Sequence, residues 1–296
     1  MACLFAARLA RAGLAPQILG AWPEGIAALQ RDGVHFIDEN GVEQRCAVQA
    51  TTNPADCAGA LAALVLVKAW QTERAARQLA TCLAADGVAL TLQNGMGNYE
   101  TLCAILGSER AAVGINTLGA HLLQAGRVRT AGEGTLTLGV QPRLEALVAL
   151  LQAAGFQVAQ SPAIPSLLWG KLVINAAINP LSALLRIPNG ELVQRPSARL
   201  LLAETVYETA AVAEAMQIDL PYANPIATVE AVARRTGENR SSMLQDVLRG
   251  APTEIEAING AVVRAGQQTR TPTPLNHVLC KLIKGLTTDE NRYLSK

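Results

Sequence analysis

Lys171, Asn175 and Asn179 recur at i, i+4 and i+8 within Trp169-Gly170-Lys171-Leu172-Val173-Ile174-Asn175-Ala176-Ala177-Ile178-Asn179-Pro180, so on a helix they stack along one face. The residues between them are apolar, and a helix that is apolar nearly all round is a buried one. A polar stripe on such a helix carries a desolvation cost unless something satisfies it. One reading is a pocket in which a cation and two amides meet a polar ligand. The other is structural: the amides find backbone partners and the lysine reaches solvent along its stem. The segment alone leaves both open.

Three further groups could join such a pocket. In Pro252-Thr253-Glu254-Ile255-Glu256-Ala257-Ile258-Asn259-Gly260, Thr253 and Glu256 have the spacing of a capping box, and Glu254 in the first turn would favour the helix dipole. That helix-start reading competes with a chemical role for Glu254. Arg240-Ser241-Ser242-Met243-Leu244-Gln245-Asp246 places hydroxyls at the start of a helical turn, as caps or as donors to a carboxylate. Lys68 and Gln93-Asn94-Gly95-Met96-Gly97 each follow an apolar run. There, glycines let a backbone approach a ligand closely, although Asn-Gly is also an ordinary turn.

The elements that must position these groups follow from hydrophobic period. Leu4 to Ala12 reads as an amphipathic helix closed by Gly13. Gln17–Gly20 is a short strand, and His35–Ile37 and Gln44–Val48 flank the hairpin dipeptide Asn40-Gly41. Leu64–Val67 and Val88–Leu92 are continuous apolar runs suited to parallel strands buried on both faces, with a helix over Thr72–Ala85 between them. Ala112–Asn116 is another strand, Gly126–Val128 and Thr135–Leu138 pair as a hairpin, and a helix over Arg143–Ala154 precedes the strand Phe156–Ala159. Beyond Pro162 and Pro165 the patterns are helical only: Leu167–Leu185, Ser197–Met216, Pro225–Arg235, Thr253–Gln267 and Leu275–Leu286. The expected architecture is α/β, an open, Rossmann-type parallel sheet domain over residues 1–163, followed by an all-α domain over 164–296. Ligands of open α/β sheets bind beyond the carboxyl ends of the strands, where Lys68 and Asn94 fall.

Composition narrows the partners. The net charge of +1, with no basic run and few aromatic residues, gives nucleic acid or an anionic membrane nothing to hold. Cys3, Cys46, Cys57, Cys82, Cys103 and Cys280 are scattered, without CxxC pairs, and His35, His121 and His277 are isolated. That pattern suits thiols in a reducing compartment better than disulfides or a metal site. No apolar run approaches the roughly 20 residues of a membrane span, and no basic segment followed by an apolar core opens the chain. A cytoplasmic protein with a small ligand is expected, as a monomer or homodimer.

Taken together, Leu66-Val67-Lys68-Ala69-Trp70-Gln71-Thr72, Gln93–Gly97, Lys171-x3-Asn175-x3-Asn179, Pro188-Asn189-Gly190-Glu191-Leu192, Ser241–Asp246 and Thr253–Gly260 resemble the ketopantoate reductase (2-dehydropantoate 2-reductase) family over nearly the whole chain. The resemblance implies reduction of a small 2-keto acid, ketopantoate in pantothenate synthesis, with hydride from NADPH. It implies Lys171 as general acid, with Glu254 holding Lys171 and the cofactor or substrate hydroxyls. Asn175, Asn179, Asn189 and Ser242 would bind substrate, Asn94 would touch substrate and cofactor, Lys68 would lie near the cofactor, and Ala120 would line the nicotinamide site. An alternative is another small 2-keto acid with the same lysine chemistry, and another is a non-catalytic remnant that binds a small ligand.

Two features depart from the family pattern. The family opens with a strand and G-x-G-x-x-G, whereas Met1–Leu9 matches only the end of that motif, with Ala2 at the place of the last glycine. Either the start lies upstream of Met1 or the form is shortened, with weakened cofactor binding. After the second family strand, Leu19-Gly20-Ala21-Trp22-Pro23 offers no arginine for a 2′-phosphate and no acid for a ribose hydroxyl.

Overall fold

The computed structural model describes residues 1–287. By its contacts the chain forms two compact units. The first holds Met1–Val67, Gln71–Gln93 and Asn98–Ile164; the second holds Lys68–Trp70, Asn94–Gly97 and the described residues from Pro165 on. The two short loops after the apolar strands thus belong, by contact, to the helical unit.

In the first unit the strands are β1 (Gln17–Leu19), β2 (Val34–Ile37), β3 (Glu43–Cys46), β4 (Gln49–Thr51), β5 (Ala60–Val65), β6 (Leu83–Thr91), β7 (Ala111–Asn116), β8 (Ala120–Gln124), β9 (Arg127–Thr130), β10 (Thr135–Gly139) and β11 (Gln157–Ser161). The helices are α1 (Ala2–Arg11), α2 (Pro23–Asp32), α3 (Thr72–Cys82), α4 (Asn98–Leu106) and α5 (Glu145–Ala153). The main sheet has the order β11-β10-β7-β6-β5, beside a four-stranded sheet β3-β2-β9-β8 and the parallel pair β1-β4. Gly87 to Thr91 of β6 are all buried, as a strand covered on both faces requires. The core gathers Leu4, Leu90, Leu136, Leu138 and Leu151 around a stacked Phe5–Phe156 pair with ring centroids 4.6 Å apart.

Three expectations are corrected here. The sheet is mixed rather than parallel, because β10 runs antiparallel to β7. Gly126–Val128 and Thr135–Leu138 do not form a hairpin. Gly126, at φ +73°, turns β9 back onto β8, and β10 joins the main sheet instead. β8 escaped notice because Leu122 and Leu123 are both exposed, so the strand lacks an alternating pattern. The helix expected to reach Ala85 ends at Cys82, since Leu83 is already extended and opens β6.

The second unit consists of α6 (Ile164–Leu185), α7 (Glu191–Gln194), α8 (Pro196–Ala215), α9 (Pro225–Arg235), α10 (Ser242–Leu248), α11 (Asn259–Thr269) and α12 (Pro274–Leu286). Helix α6 lies between two apolar clusters. Trp169, Leu172 and Ala176 face one and Val173, Ala177 and Ile178 the other, all at most 3% exposed. Each large side chain so buried contributes about 1.5–3 kcal/mol. With Lys171 as its single charge, α6 is long and apolar enough to cross a bilayer, contrary to expectation, yet 67% of its most hydrophobic window is buried within the protein.

Candidate active site

Helix α6 carries Lys171, Asn175 and Asn179. Lys171 and Asn175 are partly buried and Asn179 is buried. The backbone before Lys171 is held tightly. The Tyr222 hydroxyl donates to the Gly170 carbonyl at 2.9 Å, and a Cβ at Gly170 would lie 2.6 Å from Pro221 Cγ. Gly170 therefore lets the segment 221–222 pack directly on the turn that aims the lysine.

Glu254 does not start a helix. Ile258, at φ −101° and ψ −91°, breaks the helical path, so α11 begins only at Asn259 and residues 254–258 form a turn. The expected capping box is absent because Glu256 instead pairs with Arg264 and Lys284. Glu254 is 7% exposed. It accepts the Ala69 amide at 3.1 Å and a bond from the Asn94 side chain, and Lys68 Nζ lies 3.8 Å from Oε2. The loop carrying Asn94 is clasped to the same turn. Gly95 sits at φ +81°, Met96 N–H donates to the Ala257 carbonyl at 2.8 Å, and a Cβ on Gly95 would meet that carbonyl at 2.5 Å. The close approach that Gly95 permits is to Ala257, not to a ligand. Gly97, at φ +91°, faces open space.

Lys68 donates to Asp246 Oδ2 at 2.5 Å, and Asp246 is buried on α10. Sequence reasoning missed Asp246, although a signal existed: it lies three residues after the buried Met243, which puts an acid on the buried face of a short helix. Ser241 caps α10, accepting from Leu244 N–H at 3.1 Å, and its Oγ lies 2.6 Å from Ser182 Oγ of α6. Ser242 follows it, partly buried, as the first helical residue. Asn189 is tied elsewhere. Its Nδ2 donates to Thr236 Oγ1 and its N–H to the Asn239 carbonyl, each at 3.0 Å, while Oδ1 is buried without a partner. Ala120 lies in the first unit as the opening residue of β8, paired with Thr130.

The electrostatics follow from burial. Desolvation pulls Lys171 down to about 8, against the opposing charge of Glu254. Burial pushes Glu254 upward, opposed by the Lys68 charge, the Ala69 amide and the Asn94 side chain. The result is an ammonium poised to give up its proton near neutral pH, beside a carboxylate fixed by two loops and a cation. An acid of that strength, backed by amide and hydroxyl donors on α6 and α10, suits proton delivery to the oxygen of a small polar substrate.

Comparison with known proteins gives the family. The model of the family "Ketopantoate reductase PanE/ApbA" matches residues 1–143, and that of "Ketopantoate reductase PanE/ApbA C terminal" matches 163–287. A 2-dehydropantoate 2-reductase of Archaeoglobus fulgidus is 37% identical over 244 residues, 81% of this chain and 80% of the relative. The crystal structure of a PanE/ApbA family ketopantoate reductase from Ralstonia eutropha JMP134 superposes with a TM-score of 0.90 at 30% identity, covering 97% of this chain and 95% of that one. D-Mandelate dehydrogenase in a ternary structure with NADH and anilino(oxo)acetate shares the fold alone, with a TM-score of 0.89 at 24% identity over 97% of this chain and 96% of that one. Matched in order through both halves, the chain belongs to the ketopantoate reductase family of oxidoreductases.

Proposed function

We propose that this protein reduces ketopantoate to pantoate with NADPH, Lys171 serving as the general acid. The observation that carries the reading is the meeting, inside the helical unit, of a lysine depressed to about 8 with a buried carboxylate that is itself tied to Asn94 and Lys68. The donor chemistry fits the cofactor. Lys68 spends one of its three protons on Asp246 and its side chain remains 35% exposed, so a cationic donor is left for a phosphorylated dinucleotide. In the first unit, α1 begins without a carboxylate in its first turn and without a side-chain cap, a helix start compatible with an anion. Lys68, Asn94 and Glu254 would hold the cofactor.

When bound, NADPH supplies the hydride. Lys171 gives its proton to the carbonyl oxygen as negative charge develops there, and its ammonium stabilises that charge beforehand. Asn175, Asn179, Asn189 and Ser242 orient the carboxylate and hydroxyl of the substrate through uncharged donors, which suits a monoanion. Glu254, fixed through Ala69 and Asn94, keeps the Lys171 ammonium in place. The choice of NADPH rests on the family, since no cation follows β1 at Gly20-Ala21-Trp22.

The test is turnover of a panel of 2-keto acids with NADPH and with NADH, followed by loss of nicotinamide absorbance. Ketopantoate should be preferred by orders of magnitude, and Lys171→Ala should lose several powers of ten in kcat while still folding. Preference for another 2-keto acid would reassign the substrate. Folded protein inert toward every acid, or Lys171→Ala at near-normal turnover, would falsify the reading.

A further inference from the structure

Pro180 lies inside α6 and has no N–H to give. In a regular helix, residue 180 donates to the carbonyl of residue 176. The Ala176 carbonyl therefore lacks its helical donor, on a residue that is completely buried, where an unmet acceptor is costly. Asn259 supplies the missing donor from outside the helix: its Nδ2 reaches the Ala176 oxygen at 2.9 Å. The second proton of the same amide goes to Asn276 Oδ1 at 3.0 Å. Asn276 Nδ2 passes on to Glu208 Oε2 at 2.9 Å, and Glu208 also accepts the Leu275 and Asn276 backbone amides at the start of α12. Two acceptors on one side fix which way the Asn259 amide faces, even though its Oδ1 is left buried and unpartnered.

The place of this bond matters. Ala176 sits on α6 between Asn175 and Asn179, five residues beyond Lys171. Asn259 opens α11 five residues beyond Glu254, and the intervening turn is closed by the Ile258 N–H donating to the Glu254 carbonyl at 3.1 Å. One side-chain bond thus joins the segment holding the carboxylate to the helix holding the cation. A residue with an N–H at 180 would supply the Ala176 carbonyl from within the helix, so that carbonyl would no longer depend on Asn259, which would keep its bond to Asn276.

We propose that Asn259 is a positioning residue that replaces the helical hydrogen bond removed by Pro180 and so sets the register of the Glu254 turn against the Lys171–Asn175–Asn179 face. Its catalytic consequence rests on the reductase reading; the bond itself does not.

The experiment is a double-mutant cycle on the full chain: wild type, Asn259→Ala, Pro180→Ala and the double variant, each followed by thermal melting and by steady-state turnover against pH. Asn259→Ala should melt lower and lose about a hundred-fold in kcat, the scale of an ångström of misplacement, with KM changed only a few-fold. Its alkaline limb of kcat/KM should move to lower pH as the Glu254 carboxylate draws away from Lys171. Pro180→Ala restores the donor to Ala176, so in that background the same change at Asn259 should cost less than ten-fold in kcat and little in melting. Equal losses in the two backgrounds, in melting or in kcat, overturn the proposal and leave Asn259 as a partner of Asn276 alone. If Asn259→Ala does not fold, the double variant decides: folded and active supports the proposal, unfolded refutes it. A wild type inert on all 2-keto acids would remove the reductase reading, while the melting cycle would still decide the Pro180–Asn259 bond.

Discussion

A lysine that protonates a carbonyl oxygen must hold its proton when substrate arrives, and burial sets Lys171 at about 8 instead of the usual lysine value near 10.5. About nine-tenths of it is charged at pH 7 and about one-tenth at pH 9. The kcat/KM for reduction should therefore fall about ten-fold across that interval, whereas an unperturbed lysine would lose only about 3%. Oxidation of the 2-hydroxy acid needs the neutral amine as base, so its kcat/KM should rise about ten-fold over the same range. Initial rates at saturating cofactor and constant ionic strength measure both directions, with a melting curve at each pH to show that the protein stays folded. In Glu254→Gln, both limbs should move to lower pH, because the carboxylate charge supports the ammonium. A reduction profile flat to pH 9.5 would refute the assignment of Lys171. So would two directions that fall together, which is the signature of unfolding rather than of one titrating group.

The depressed lysine also carries a stability cost with a defined sign. Between about 8 and 10.5 the unfolded chain binds the extra proton, so the penalty is full below about pH 8 and fades as pH rises to 10.5. Lys171→Met should accordingly raise the melting midpoint by several degrees at pH 7 and by little at pH 10.5; a gain that is constant with pH would refute this. Gly95→Ala, strained at φ +81° and driven into the Ala257 carbonyl, should cost about 2–4 kcal/mol in urea unfolding. Gly97→Ala, strained at φ +91° but facing open space, should cost about 1–2 kcal/mol, and equal costs would refute the clasp. Asp246→Asn removes the charged partner of Lys68, but that side chain is 35% exposed and can hydrate, so the loss should be about 1.5 kcal/mol. A loss above about 4 kcal/mol would mean that Lys68 is stranded as a buried charge.

The sequence was most informative where chemistry is local. The i, i+4, i+8 spacing of Lys171, Asn175 and Asn179 requires only that one helix span them, and α6 does. The loops at Lys68 and Asn94 were legible because continuous apolar strands such as β6 announce where they end. The separate partners of β9 and β10 were not legible, since strand partners are chosen by the whole sheet and the nearest apolar run is not always the neighbour. Asp246 was invisible as the partner of Lys68 for the same reason. The two are 178 residues apart, and nothing in either neighbourhood names the other.

Glu254 shows how local signals can agree on the wrong structure. Thr253, Glu254 and Glu256 all suit the first turn of a helix, and a carboxylate there would face solvent and help the dipole. What prevents it is distant: Glu256 is drawn to Arg264 and Lys284, the Gly95 loop lies against Ala257, and Asn259 must reach the Ala176 carbonyl that Pro180 leaves open. Each of these contacts fixes residues 254–258 as a turn and carries Glu254 inward, to 7% exposure, where a carboxylate needs partners. It finds them in the Ala69 amide, the Asn94 side chain and the charge of Lys68. A helix-capping acid and a buried acid can therefore share one sequence signature, and here burial with multiple long-range partners is the feature that separates them.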